Sequence, residues 1–68
     1  MKVENYTRVK LLTDSYLQDG VGIGSIGYVI KICPSEKYEV EFSDKNGVAI
    51  AQIVVGPDEI VIEETNNK

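Results

Sequence analysis

Gly24-Ser25-Ile26-Gly27-Tyr28-Val29-Ile30-Lys31-Ile32 and Lys37-Tyr38-Glu39-Val40-Glu41-Phe42, separated by Cys33-Pro34-Ser35-Glu36, decide the fold of this chain. The first run starts on glycine and is rich in β-branched residues, which favour pleated backbone. The second alternates strictly, with Tyr38, Val40 and Phe42 on one face and Lys37, Glu39 and Glu41 on the other. A period of two is the signature of a half-buried strand. Pro34 has no backbone N–H to give a ladder, so it stops the first strand and opens a turn. The pair reads as the central hairpin of a small, strongly bent β-barrel.

Outward from that hairpin the pattern repeats. Tyr6–Leu12 reads as a first strand, with Val9 and Leu11 alternating with Arg8 and Lys10. Residues 13–24 form a long loop rich in Gly and Asp, which Leu17, Val21 and Ile23 can pin to the barrel. Ser25–Cys33 and Lys37–Ser43 are the second and third strands. Asp44–Gly47 is a hairpin loop whose Asn46-Gly47 pair accepts positive φ. Val48–Val55 is the fourth strand. Gly56-Pro57-Asp58-Glu59 predicts one 3₁₀ turn, with Pro57 setting φ and Asp58 as a local acceptor. Ile60–Ile62 closes the sheet. The expected domain is 6–62, with flexible tails at 1–5 and 63–68. Five short strands with frequent turns and no sustained helical period predict an all-β barrel.

Sixty-eight residues allow one domain with a thin core. No apolar run approaches the ~20 residues of a membrane helix, and Met1–Tyr6 lacks the apolar segment of a secretory signal. Cys33 is the only cysteine, so no internal disulfide forms. A cytoplasmic location is the expectation. The net charge of −4 is uneven. Residues 1–34 carry four cations against three acids, and residues 35–68 three lysines against eight acids. That balance argues against nucleic acid, whose binding rests on Lys and Arg neutralising phosphates, and favours a basic partner or simple solubility.

The chemistry that tempts is mostly absent. Gly22-Ile23-Gly24-Ser25-Ile26-Gly27 matches the dinucleotide fingerprint G-x-G-x-x-G. That motif needs a helix opening within it to meet the pyrophosphate. The residues that follow are β-branched and stopped by Pro34, so the glycines read instead as a bend and a close strand approach. With no histidine the usual general base and commonest metal ligand are missing. Cys33 lacks both an activating base and a second thiol, and reads as a half-buried strand-end residue. Asp58-Glu59 and Glu63-Glu64 are adjacent in sequence and point to opposite faces of a strand, so neither pair converges on a substrate. No enzyme, cofactor or metal site is expected. Among the tyrosines, Tyr38 belongs to the apolar face of its strand. Tyr16, between Asp14 and Asp19, is placed like a contact residue, and folding back onto the barrel rim beside Leu17 is the equal alternative.

Three motifs in order add a resemblance. Gly24-x-x-Gly27-x-Val29-x-x-Ile32, then Tyr38-Glu39-Val40-Glu41-Phe42, then Gly56-Pro57-Asp58-Glu59-Ile60 resemble the SH3-like barrels of the KOW and translation-protein type. More narrowly, with Val9-Lys10-Leu11-Leu12-Thr13-Asp14, the chain is similar to a family of short bacterial proteins of unknown function. The match runs from Thr7 to Ile62. The resemblance implies a single five-stranded SH3-like barrel, non-enzymatic, of a kind often encoded near toxin or mobile-element genes. The Ala-Leu-Tyr-Asp-Tyr run and the Trp of proline-binding SH3 domains are missing, as is the basic face of a ribosomal KOW domain.

The functional expectation is therefore a protein-interaction module of immunity or antitoxin type. It would present Asp14, Tyr16, Asp19, Glu39 and Glu41 to a basic partner such as a nuclease toxin, whose phosphate cleft attracts carboxylates. The rival readings are an RNA- or ribosome-associated barrel using Arg8, Lys10 and Lys31, and an accessory barrel on a larger enzyme.

Overall fold

Alternation along the chain becomes five antiparallel strands in one sheet. The computed structural model describes residues 3–63. The strands are β1 (Arg8–Leu11), β2 (Ile26–Cys33), β3 (Lys37–Ser43), β4 (Ala49–Val55) and β5 (Ile60–Ile62). Their order across the sheet is β4-β3-β2-β1-β5. β1 is shorter than the sequence suggests because Tyr6 turns with φ of 71° and Glu4–Thr7 form a hydrogen-bonded turn of their own. The Tyr6 amide still bonds to the Val29 carbonyl and Val3 packs on the core, while Glu63 donates its amide to the Arg8 carbonyl at 2.8 Å. The remaining tail residues, 1–2 and 64–68, lie outside the described residues.

β4 and β5 are the two edges, and no ladder joins them, so the hydrogen bonding is that of an open sheet. The sheet nevertheless bends around one core. Val9, Leu11, Val21, Val29, Val40, Phe42, Val55 and Ile60 are buried together. Val55 and Ile60 flank the 3₁₀ turn Pro57–Glu59, so the end of β4 and the start of β5 meet in the same apolar cluster. Two further short turns, Leu17–Asp19 and Pro34–Glu36, fill the connections before β2 and β3. Of the residues expected to pin the long loop only Val21 is buried, while Leu17 and Ile23 remain exposed.

Register and bend share a cause. Val9, Gly27 and Phe42 lie in one row across β1, β2 and β3. A Cβ on Gly27 would sit 2.6 Å from Val40 Cγ1, 2.8 Å from the Glu41 carbonyl oxygen and 2.8 Å from Phe42 Cδ1. Only glycine lets β3 close onto β2 there. Two bulges add curvature. Ile30 is the extra residue on β2, between Val29 and Lys31, and Ile50 the extra residue on β4, between Ala49 and Ala51. The G-x-G-x-x-G run opens no helix: Gly24 turns with φ of 93° and Ile26 starts β2.

Candidate functional site

Asp14, Tyr16 and Asp19 sit on the β1–β2 loop, and Glu39 and Glu41 on β3. Among the described residues, no hydrogen bond or ion pair links the loop group to the strand group. They form two surfaces with different electrostatics.

The loop group is held by one long-range contact. The Tyr16 hydroxyl donates to Glu59 Oε1 at 2.8 Å, across 43 residues of sequence. The same oxygen accepts the Gly56 amide at 2.9 Å, so the Glu59 side chain caps the last 3₁₀ turn and anchors the loop together. The backbone adds a third tie, Leu12 N to the Glu59 carbonyl at 2.8 Å. Tyr16 also packs its ring against the core. Burial pushes its hydroxyl up from 10.0 to about 12, aided by the bond to Glu59 and by the negative charges of Glu59 and Asp19. Tyr16 is thus turned inward as a strut. Asp14 and Asp19 stay exposed beside it, with Leu17 and Ile23 at 61% and 67% exposure and Asp58 exposed on the adjoining turn. The result is an acidic rim with an apolar component, its loop tied to the last turn through the Tyr16–Glu59 bond.

The strand group is different. Glu39 and Glu41 share the outer face of β3 and are half-buried. Glu39 lies opposite Lys31 on β2 and Val54 on β4. Glu41 lies between Tyr28 and Gln52, whose Nε2 donates to Glu41 Oε2 at 3.4 Å, and Arg8 is next along that row. Lys10 stands on the same face and pairs with Glu63 at 3.5 Å. Two carboxylates among three cations do not make an acidic patch. The sequence places Glu39 and Glu41 on the outer face without showing that the neighbouring strands set cations on that face as well.

At one end of this outer face lies a groove of about 530 Å³. Arg8, Ile26 and Tyr28 line it from β1 and β2, and Ser43, Asp44, Lys45 and Ile50 from β3, β4 and the turn between them. Asp44 Oδ1 accepts the Asn46 and Val48 amides at 2.8 and 3.0 Å, which shapes the β3–β4 turn and commits that carboxylate oxygen.

The model of a family described as "Domain of unknown function (DUF4926)" matches residues 6–62 of this chain. The chain belongs to that family. No curated protein matches it, and no solved structure does. In this DUF4926 domain, no group of His, Cys, Asp and Glu is gathered for a metal among the described residues. Among the described residues, no helix is long and apolar enough to cross a membrane. Cys33 is a free, half-buried thiol at the end of β2. Two features of the site escape the sequence reading. Glu59, not Asp58, is the local acceptor that takes the Gly56 amide, and the Gly56-x-x-Glu59 spacing is that of the Glu half of a capping box. The groove draws its walls from separate elements and leaves no local signal.

Proposed function

We propose that this domain is a non-catalytic protein-interaction module of SH3-like barrel type, which inhibits a basic protein such as a nuclease toxin. Three features support the barrel reading: the strand order, the 3₁₀ turn between the last two strands, and the shared burial of Val55 and Ile60. The observation that carries the functional reading is the Tyr16–Glu59 bond, because it preorganises the acidic rim. A loop already fixed in its binding shape loses less entropy on association. Asp14, Asp19 and Asp58 supply the charge that steers a basic partner, and Leu17 and Ile23 supply apolar area for the contact. Glu39 and Glu41 contribute less on this reading, since Lys31 and Arg8 share their face. The test is association with the product of the neighbouring gene, basic on this reading, followed by surface kinetics across a salt series. The on-rate falls as salt rises, because screening removes the steering. Association indifferent to salt would refute the electrostatic account.

A second reading has its own observation. Arg8, Lys10 and Lys31 all lie on the outer face, with Tyr28 among them as a stacking surface. RNA binding at low salt that fails in Arg8→Gln, with no binding to the basic protein, would favour an RNA-associated barrel.

A further inference from the structure

The groove at the end of the outer face reverses the charge of the molecule around it. Arg8 and Lys45 line it, and neither has an ion-pair partner among the described residues. The one acid in the wall, Asp44, already spends an oxygen on two amides of its own turn. The groove therefore offers a formal charge of one positive unit in a chain whose net charge is −4. Its apolar lining is Ile26, Ile50 and the ring of Tyr28, which is 40% exposed. The volume, about 530 Å³, lies within the ~300–1,000 Å³ of small-molecule sites.

We propose that this groove binds a small organic monoanion: a carboxylate carried on an apolar body the size of an aromatic ring or a branched aliphatic chain. The carboxylate lies between Arg8 and Lys45, where a charge-assisted hydrogen bond from the guanidinium fixes its direction. The apolar body covers Tyr28, Ile26 and Ile50, and takes that surface out of water. The Asp44 carboxylate in the same wall sets the charge limit. It tolerates one negative charge near Lys45 and repels the second charge of a phosphate ester. This ligand class is distinct from the basic protein assigned to the acidic rim, so the two proposals stand or fall separately.

The same chemistry has two sources, a free carboxylic acid and the C-terminal residue of a peptide. The experiment titrates the isotopically labelled full chain with phenylpropanoate, with a short peptide ending in a free phenylalanine, with the amidated form of that peptide, and with phenyl phosphate. Amide shifts are followed by NMR. Phenylpropanoate or the free peptide is expected to move the signals of Arg8, Tyr28, Ser43 and Gly47, with millimolar affinity. Whichever binds tighter identifies the source. Arg8→Gln and Lys45→Gln each weaken binding about three- to tenfold, the loss of one exposed charge-assisted contact. Lys31→Gln, outside the groove, leaves it unchanged. Shifts absent from the groove, equal binding of the amidated peptide, or full affinity in both Gln variants would overturn the proposal. Tighter binding of phenyl phosphate would overturn the monoanion assignment.

Discussion

Gly27 and Tyr16 show how much single side chains decide here. Gly27 lies where a Cβ meets Val40, Phe42 and a backbone oxygen at under 3 Å, and backbone cannot yield as a flexible side chain can. Gly27→Ala is expected to cost about 2–3 kcal/mol by overpacking. Gly24→Ala, at φ of 93° in open space, is expected to cost about 1 kcal/mol, for backbone strain alone. Chemical denaturation of the two variants separates close approach from conformational freedom, and equal losses would contradict the close-approach account. Tyr16 gives a pH signature. Its folded pKa, about 12, lies above the ordinary 10.0, so the folded state holds its proton more tightly than the unfolded chain. That stabilisation is fully present below pH 10.0 and is lost as pH rises towards 12. Tyr16→Phe is expected to cost about 1 kcal/mol at neutral pH, the net value of the bond to Glu59. It should also flatten the alkaline decline of stability relative to the parent chain. Parallel alkaline profiles would mean that folding does not raise the pKa of this hydroxyl.

The strands were the legible part of the sequence, and for a physical reason. In β3 the alternation of Tyr38, Val40 and Phe42 with Glu39 and Glu41 records which side faces the core, and the observed bounds Lys37–Ser43 agree with it. Phe42→Ala is expected to cost about 3–5 kcal/mol through lost burial and a cavity. Glu41→Ala should stay within about 0.5 kcal/mol, since its one side-chain bond is long and exposed. The reverse ranking in thermal or urea melts would mean a register slipped by one residue. What the sequence hid is contact between elements. Nothing near Tyr16 announces Glu59, because the partner lies 43 residues away along the chain. The row of Arg8, Tyr28, Glu41 and Gln52 is equally hidden, because it crosses four strands. The sequence overstates β1, since Tyr6 has the look of a strand residue and its positive φ ends the strand.

Across the whole molecule, charge is segregated by surface more than by sequence half. The β1–β2 loop and the last 3₁₀ turn expose Asp14, Asp19 and Asp58, whereas the outer face of the sheet mixes Glu39 and Glu41 with Arg8, Lys10 and Lys31. A partner steered by charge should therefore approach the loop rim, and the residues that set its on-rate should be those of the rim. The central claim is best tested by charge reversal on each surface, with association kinetics against the product of the neighbouring gene. The account predicts that Asp14→Lys combined with Asp19→Lys lowers the on-rate at low salt and abolishes most of its salt dependence. Glu39→Lys combined with Glu41→Lys should have a distinctly smaller effect. A larger loss from the β3 pair, or unchanged kinetics in the loop pair, would contradict it.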